Sequence, residues 1–421
     1  MTAEEAINFI HRNVWQGSKP GLSRTLELLS GIGDPQNALR FVHVAGTNGK
    51  GSVSAMLSAI LCSAGYTVGL YTSPYISRFN ERIRVNGAPI KDSELAGITE
   101  LCVPFALSMS DSPTEFELVT AIAMQYFLSR NCDIVVLETG MGGRLDSTNV
   151  ISSPLCSVIT NIGLDHTAEL GDTEEKIAFE KAGIIKYRCP TVIYELKDSV
   201  TQVIKDRCRE MSSPLKIAEF DKIVSISDSR SGQLFSYKHH QNLSLPLLGT
   251  HQLKNAAVVL EAVDTLRESG LSVSESAVRS GISATAWPAR FEILSDRPFF
   301  VVDGGHNPQC AETVSDNLAR YFPGMKTVIL FGVLADKDYI GLAGMLDRAA
   351  DAYVTITPDS QRALRASELA EKIKCFGKPV YYCDSIEEGI EKAILLAGAD
   401  GVVCSVGSLY TAGTVRAYFG K

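Results

Sequence analysis

The sequence predicts an α/β protein of two domains: a larger one with a mostly parallel sheet, followed by a smaller Rossmann-like one. Short apolar runs rich in β-branched residues alternate with segments of helical periodicity, which is typical of β-α-β repetition. The runs are continuous, as in parallel strands covered on both faces. The motifs WPAR and DRP interrupt this alternation between residues 287 and 298. We therefore expect domains at 1–290 and 291–421.

Each predicted element follows from the spacing of its apolar residues. In the first domain, strands are expected at 41–45, 67–71, 133–137 and 156–160. The helical face after the first strand is formed by Val53, Met56, Leu57, Ile60 and Leu61. Residues 190–250 are less regular, with antiparallel strands expected at 222–228 and 234–240. In the second domain we expect strands at 299–303, 327–332, 352–357, 379–383 and 401–406, and helices at 368–375 and 386–396.

Composition argues against several classes of partner. The chain has 40 basic and 48 acidic residues, whereas sequence-independent nucleic-acid binding needs a basic surface. None of the ten cysteines forms a CxxC pair, so we expect reduced thiols and no zinc site. No apolar run approaches the ~20 residues of a membrane span, and the acidic, amphipathic residues 1–13 are unlike a signal peptide. We expect a cytoplasmic protein that binds neither nucleic acid nor membrane.

The strongest local feature is the segment GTNGKGS, between the first predicted strand and its helix. In this context, which is that of a P-loop, glycines let backbone N–H groups wrap a phosphate at a helix N-terminus. The candidate phosphate-binding residues are Gly46, Thr47, Asn48, Gly49, Lys50, Gly51 and Ser52. The spacing departs from GxxxxGK[ST], because Val44 stands five residues before Gly49 and an extra Gly51 separates the lysine from the serine. A Gly-rich turn without a ligand is the alternative interpretation.

Polar residues also follow other predicted strands, at the edge where open α/β sheets bind ligands. Glu138 ends one strand and precedes a Gly-rich loop, while Ser73 and His166 follow two others. A carboxylate at this edge suits the Mg²⁺ that phosphoryl transfer needs. Individually these residues have ordinary alternatives as surface, turn or core positions, and a helical Lys181 alone is a solvated charge.

A second polar loop opens the second domain. Asp303, His306 and Asn307 lie between a predicted strand and a helix that starts at Pro308. Arg290 stands at the presumed linker, where a cation can span a cleft between domains. We expect this loop to bind a ligand and to face the first domain.

Taken together, these motifs resemble the folylpolyglutamate synthase and dihydrofolate synthase family, a branch of the Mur ligase superfamily. The resemblance covers nearly the whole chain, and a set of ordered matches is far more specific than any one motif. The matching segments are 20–36, 44–52, 71–87, 113–123, 136–149, 161–186, 251–260, 287–292, 303–308, 331–338 and 407–413.

The resemblance implies an ADP-forming acid–amino-acid ligase. Such enzymes use ATP to phosphorylate a carboxylate, and the amine of L-glutamate then attacks the acyl phosphate, which releases phosphate. The implied acceptor is a folate, with 7,8-dihydropteroate as a further acceptor. The 1–290 domain would bind ATP and the pterin-bearing substrate, and the 291–421 domain would bind glutamate. The implied enzyme is a monomer.

The resemblance also implies roles for individual residues. The loop at 46–52 would hold the triphosphate, while Ser73 and Glu138 would bind one Mg²⁺ and His166 a second. Lys181 matches the family's carbamylated lysine, whose carbamate helps hold the second metal. The implied catalytic set is Lys50, Glu138, His166 and Lys181. Further ATP contacts would come from Asn255, Arg290, Asp303 and His306, and contacts to the pterin-bearing substrate from Phe116, Leu145, Asp146 and Ser147.

The chain departs from the family pattern at three positions. Ala289 replaces the glycine of WPGR, which we expect to be tolerated if φ is negative there. Gly305 stands where alanine is commoner, a mild change. Glu115 stands where an aromatic residue is frequent, next to Phe116 and the expected pterin pocket. Substrate preference is therefore the expectation that the resemblance supports least.

Two other classes are compatible with the same loop. A Mur ligase acting on a UDP-linked sugar carries an additional N-terminal domain, and the 45 residues before Gly46 are too few for one of ~100 residues. If the chain were a P-loop nucleotide-binding protein without ligase activity, the polar loops after Glu138 and Asp303 would have no function. The sequence leaves open the choice of acceptor, the glutamate chain length, a monovalent cation requirement, the carbamylation of Lys181 and the oligomeric state.

Overall fold

The computed structural model describes residues 1–12 and 20–421, so residue 13 of the predicted N-terminal segment lies outside it. The described chain divides into two compact units. The first comprises Met1–Ile226, Leu234–Leu245 and Gln252–Thr285, and the second comprises Ser227–Gln233, Pro246–His251 and Ala286–Lys421. Within the described residues, no helix combines the length and apolarity needed to cross a bilayer.

The first unit is built on an eight-stranded sheet with the order β4-β3-β2-β5-β1-β6-β7-β8. Its strands are β1 (Phe41–Ala45), β2 (Val68–Tyr71), β3 (Ile83–Val85), β4 (Ala88–Pro89), β5 (Ile134–Glu138), β6 (Cys156–Ile159), β7 (Thr191–Ile193) and β8 (Leu215–Ile217). Six strands are parallel, while β3 and β4 pair antiparallel at one edge. The predicted strands β1, β2, β5 and β6 are confirmed. The other four have only two or three residues, too short to give a pattern.

Ten helices accompany these strands in the described part of the chain before residue 286. They are α1 (Ala3–Arg12), α2 (Ser23–Gly31), α3 (Lys50–Ser63), α4 (Asp92–Ser108), α5 (Glu115–Ser129), α6 (Thr167–Leu170), α7 (Glu174–Ala182), α8 (Asp198–Glu210), α9 (Thr250–Glu268) and α10 (Glu275–Ser283). The predicted apolar face of α3 is buried throughout. One core cluster joins α1, α2, α4 and α5 to β1, β2 and β5, and another joins α7 and α8 to β6 and β7.

The less regular stretch contains a small sheet with the order β11-β10-β9. Its strands are β9 (Ile223–Ser229), β10 (Gly232–Tyr237) and β11 (His240–Leu245). Two residues join each pair of consecutive strands, a connection that only antiparallel neighbours allow. The structure thus confirms the strand expected at 222–228. The strand expected at 234–240 is wrong in extent, because the chain turns at Lys238, whose φ is +50°.

The second unit has a six-stranded sheet with the order β12-β13-β17-β14-β15-β16. Its strands are β12 (Glu292–Asp296), β13 (Phe299–Val302), β14 (Thr327–Phe331), β15 (Ala352–Thr355), β16 (Val380–Tyr382) and β17 (Val402–Val406). The helices are α11 (Pro308–Tyr321), α12 (Tyr339–Leu346), α13 (Ala366–Ile373), α14 (Ile386–Ala397) and α15 (Leu409–Tyr418). All five predicted strands are confirmed and run parallel. The antiparallel edge strand β12 was not predicted, because its sequence EILSD has no continuous apolar run.

Candidate active site

The glycine loop between β1 and α3 has a backbone that residues other than glycine rarely adopt. Gly46 has φ of +156° and Gly49 has φ of +88°. A methyl group on Gly46 would lie 1.8 Å from Thr160 Oγ1, and one on Gly49 would lie 2.6 Å from Asn255 Oδ1. Both glycines are therefore required by conformation and by space.

The end of β6 holds this loop in place. Thr47 N donates to Asn161 O at 2.7 Å, and Thr160 Oγ1 donates to Asn48 O at 2.7 Å. Thr47 Oγ1 also donates to Gly163 O at 3.0 Å. The loop is thus fixed before any ligand arrives, and it leads into the start of α3, where N–H groups lack helical acceptors and carry partial positive charge. This arrangement can bind a phosphate group.

Two lysines converge on the loop. Lys50 Nζ donates to Gly46 O at 3.0 Å and to Thr47 O at 3.2 Å, while Lys181 Nζ, from α7, donates to Gly46 O at 2.7 Å. Burial lowers the pKa of Lys181 well below its ordinary value, and the positive charge of Lys50 lowers it further. Lys181 is therefore not the solvated charge that a helical lysine usually is.

The helix α9 completes the surroundings of the loop. Gln252 Nε2 donates to Ser52 Oγ at 3.2 Å, and Asn255 Nδ2 donates to Gln252 Oε1 at 3.0 Å. Gln252 thus links Asn255 to Ser52. Gln252 was missed by the sequence analysis, although its position three residues before Asn255 places both on one helix face.

Oxygen ligands gather where β2, β5 and β6 end. Glu138 is buried, and its Oε2 lies 3.4 Å from Ser73 N. Two nearby side-chain oxygens, Thr139 Oγ1 and Asn161 Oδ1, are buried without a hydrogen-bond partner in the described part of the chain. Uncharged and anionic oxygens of this kind suit Mg²⁺, so the residues present fit that ion. The sequence analysis missed Thr139 and Asn161, yet both come within two residues of a strand end.

His166 lies seven residues after the end of β6. It has φ of +49° and immediately precedes α6, with its backbone N–H donating to Asp165 Oδ1 at 2.9 Å. Its Nε2 lies 3.9 Å from the same oxygen. Asp165 in turn raises the pKa of Lys181, against the larger effect of burial. Asp165 therefore interacts with both His166 and Lys181.

The residues matched to the pterin-bearing substrate have different surroundings. The Phe116 ring covers Gly140, where a methyl group would lie 2.5 Å from Cζ, and it tilts against the Tyr71 ring at 5.9 Å. Leu145 is exposed, whereas Ser147 is buried. Buried Asp146 accepts hydrogen bonds from Met141 N at 2.8 Å and Thr148 N at 3.0 Å, and burial raises its pKa. These contacts make Asp146 a support of the Gly-rich loop.

Glu115, the departure next to Phe116, is ion-paired. Its Oε1 lies 2.9 Å from Arg82 Nη1, and its Oε2 lies 3.1 Å from His11 Nδ1. The Arg82 guanidinium also lies over the Tyr75 and Phe79 rings, 5.5 and 5.2 Å from their centroids. The carboxylate at position 115, where the family often has an aromatic side chain, therefore holds Arg82 in place.

In the second unit, Asp303 organises its own loop. Its Oδ2 accepts from Phe291 N at 2.8 Å, and its Oδ1 accepts from Gly305 N at 2.7 Å. Burial raises the pKa of Asp303, and the nearby Arg290 guanidinium opposes that rise. A methyl group on Gly304 would meet Arg290 Nη1 at 3.0 Å, and His306 Nδ1 lies 3.2 Å from Gly304 O. Arg290, Asp303 and His306 thus form one group.

Two departures from the family pattern have structural consequences. The condition for tolerance at Ala289, a negative φ, is not met, because this buried residue has φ of +54°, a conformation that favours glycine. Its N–H donates to Glu292 Oε2 at 2.9 Å, which helps hold it there. At Gly305, a methyl group would lie 2.7 Å from Cys310 Cβ, so the alanine that is commoner in the family would not fit unchanged.

The phosphate loop, the buried Lys181 and the buried Glu138 form a site that can bind the phosphates of a nucleotide. Profiles of the Mur ligase middle domain and of the Mur ligase glutamate ligase domain match residues 44–263 and 289–409. The dihydrofolate synthase/folylpolyglutamate synthase of Bacillus subtilis is 36% identical, with 98% of each chain covered. The folylpolyglutamate synthase of Lacticaseibacillus casei is also 36% identical, covering 99% of this chain and 98% of that protein.

Solved structures show the same likeness. Mycobacterium tuberculosis folylpolyglutamate synthase complexed with ADP has a TM-score of 0.91 at 29% identity, with 100% of this chain and 98% of that chain covered. Escherichia coli FolC in complex with DHPP and ADP has a TM-score of 0.89 at 31% identity and the same coverage. The chain belongs to the folylpolyglutamate synthase and dihydrofolate synthase family of the Mur ligases. It is an ATP-binding, ADP-forming ligase, which disfavours the alternative of a nucleotide-binding protein without ligase activity.

Proposed function

We propose that the protein joins L-glutamate to the carboxylate of a tetrahydrofolate, with ATP as the energy source. The carboxylate oxygen attacks the γ-phosphorus, ADP leaves, and an acyl phosphate forms. The glutamate amine then attacks the acyl carbon, so that a C–N bond forms, the C–O bond to phosphate breaks and the amine loses a proton. The second acceptor of the enzyme is 7,8-dihydropteroate, which the names of the B. subtilis and E. coli relatives support.

The convergence of Lys50 and Lys181 on Gly46 O is the observation that carries this proposal. Backbone N–H groups at the start of α3 bind the triphosphate, and Lys50 transfers its hydrogen bonds from the loop carbonyls to phosphate oxygens. A fixed cation at this point stabilises the charge that develops as the phosphoryl group moves. Asn255 packs against Gly49 and keeps the loop backbone open to the nucleotide.

Mg²⁺ would be held by Ser73 and Glu138, with Thr139 and Asn161 as further oxygen donors, and by His166 and Lys181 at a second site. When bound, Mg²⁺ neutralises phosphate charge and orients the phosphate oxygens. Lys181 becomes an oxygen ligand if its neutral amine adds CO₂, forming an N–C bond and releasing one proton. Its lowered pKa supports this, because the neutral amine is the reacting form. The carbamate keeps one N–H, which can still donate to Gly46 O.

The substrates are divided between the two parts of the chain. Residues 1–290 bind ATP and the folate, with Phe116, Leu145, Asp146 and Ser147 near the pterin ring. Residues 291–421 bind glutamate, and the group of Arg290, Asp303 and His306 contacts the nucleotide. The enzyme acts as a cytoplasmic monomer.

The test is incorporation of labelled glutamate with tetrahydrofolate monoglutamate and, separately, with 7,8-dihydropteroate. We expect the first acceptor to be used, and ATP hydrolysis to require both an acceptor and glutamate. A protein that uses neither acceptor would overturn the proposal. ATP hydrolysis that does not depend on glutamate would indicate a nucleotide-binding protein of another kind.

A further inference from the structure

Two adjacent histidines and an aspartate form a cluster that the ligase chemistry does not use. His239 lies in the turn between β10 and β11, His240 is the first residue of β11, and Asp264 lies on α9. The Nε2 atoms of the two imidazoles lie 3.6 and 3.2 Å from the same oxygen, Asp264 Oδ2. Among residues 1–12 and 20–421, no other group of three such side chains has its ligand atoms within 4.8 Å of one another.

These separations match those of ligands around one metal ion. A tetrahedral Zn²⁺ with bonds of about 2.0–2.2 Å holds its ligand atoms roughly 3.3 Å apart. The two rings lie with centroids 4.0 Å apart and an interplanar angle of 35°, and both Nε2 atoms face Asp264 Oδ2. His239 is largely exposed, which leaves room for a water molecule as the fourth ligand.

The surroundings of His240 prepare its Nε2 atom to bind a cation. Its Nδ1 hydrogen-bonds to Glu275 Oε1 on α10. In the neutral imidazole this bond places the proton on Nδ1, so Nε2 carries a lone pair directed toward Asp264 Oδ2. When His240 is charged, a proton fills this gap and both carboxylates accept a hydrogen bond from the ring. A metal ion in place of the Nε2 proton contacts all three ligand atoms at once, whereas that proton contacts only Asp264.

A neighbouring arginine fixes both carboxylates without occupying the cluster. Arg267 Nη1 lies 2.9 Å from Asp264 Oδ1, and Arg267 Nη2 lies 3.0 Å from Glu275 Oε2. The other oxygen of each carboxylate, Asp264 Oδ2 and Glu275 Oε1, therefore faces the histidines.

We propose that His239, His240 and Asp264 bind a divalent transition-metal ion such as Zn²⁺, with Glu275 as the positioning residue. Two imidazole nitrogens select such an ion over Mg²⁺, which prefers oxygen ligands. The bound ion ties the β10–β11 turn to α9 and adds stability there. The expectation of no zinc site rested on paired cysteines alone. The sequence does not reveal this cluster, because Asp264 is 24 residues from His240.

The test is a titration of the whole protein with Co²⁺, used as a spectroscopic substitute for Zn²⁺, in excess Mg²⁺ so that the hard-cation sites are filled. We expect one equivalent to give the visible absorption of a tetrahedral ion. His239→Ala should weaken binding at least about tenfold, and Glu275→Gln should weaken it roughly 10–100-fold. His11→Ala, which removes a histidine outside the cluster, should bind as the wild type does.

Thermal unfolding provides a second measurement. Zn²⁺ should raise the Tm of the wild type and of His11→Ala, but not that of His239→Ala, because an ion that binds only the folded state stabilises it. The exposed position of His239 makes this variant suitable, since its truncation removes little packing. Equal Co²⁺ spectra for the wild type and His239→Ala, or no tetrahedral spectrum for the wild type, would exclude the site.

Discussion

Lys50 and Lys181 donate hydrogen bonds to the same backbone oxygen, Gly46 O, at 3.0 and 2.7 Å. Two ammonium groups so close together repel each other, and burial adds to the cost for Lys181. An anionic ligand in the loop offsets this repulsion. The arrangement is thus suited to a triphosphate and to a lysine that can exist as the neutral amine.

Removing the positive charge from the loop should abolish turnover. We expect Lys50→Ala to lower kcat by at least about 10²–10³-fold, because a preorganised charge at the transferring phosphoryl group is lost. Glu138→Ala should have a comparable effect through the Mg²⁺ site. Lys176→Ala, an exposed lysine paired with Asp172 on the surface, is the matched control and should keep wild-type rates. Circular dichroism should show that all three variants are folded; near-wild-type turnover by Lys50→Ala would contradict the site assignment.

Carbamylation of Lys181 can be detected directly. In ¹³C-bicarbonate, we expect a carbamate NMR signal from the wild-type protein that is absent from Lys181→Met. The physical reason is the lowered pKa, which leaves more of the reactive neutral amine at a given pH. Lys176→Met controls for surface lysines. Equal signals from all three proteins would place the carbamate elsewhere, and no signal from the wild type would exclude it.

Crowding at Gly49 can be separated from its backbone conformation. Gly49 has φ of +88° against Asn255, whereas Gly65 has φ of +92° and a methyl group added there would have no atom within 4 Å. Both alanine variants should lose about 1 kcal/mol of stability. Only Gly49→Ala should raise KM for ATP, by about tenfold or more, because Asn255 must move and displace the loop. Initial-rate kinetics check this; equal KM values for the two variants would disprove it.

Restoring glycine at position 289 should stabilise the protein. Ala289→Gly relieves a left-handed backbone at a buried site, and we expect a gain of about 0.5–1 kcal/mol. Ala311→Gly is the matched control, since Ala311 is equally buried but lies in α11, and it should lose about 1 kcal/mol. Urea denaturation measures both changes. A loss of stability in both variants would show that the methyl packing of Ala289 outweighs its strain.

Acid should weaken the fold through His43 in β1. Burial lowers the pKa of His43 from 6.5 to about 3, so below pH 6.5 the unfolded chain takes up a proton that the folded chain does not. Stability is therefore lost as the pH falls from 6.5 toward 3. At pH 5 the loss is about 2 kcal/mol. His43→Gln, which cannot titrate, should lose correspondingly less between pH 7.5 and pH 5 in chemical denaturation; identical pH dependence would refute the assignment.

The strands of the parallel sheets were predictable because each is a continuous apolar run between turn signals. The strands that were missed, such as β12 and β7, are short or half-polar and are held by their neighbours in the sheet. The phosphate loop was equally visible, since its glycines, lysine and serine are contiguous. The sequence left the sign of φ at Ala289 open, because a single residue type does not reveal the backbone angle that Glu292 and its neighbours impose.

The sequence by itself determined the α/β class, the glycine loop, the candidate carboxylate and the family. Only the tertiary structure decided that Lys181, 135 residues from Gly46, is buried against the loop carbonyl, and that Gln252 contacts Ser52. It also decided that the side chains of His239, His240 and Asp264 lie within contact distance of one another. The physical reason is that local patterns record apolar periodicity and backbone freedom. Hydrogen bonds and charge interactions between residues far apart in the sequence form only in the folded protein. There the sheet brings together the ends of its strands and the helices beside them.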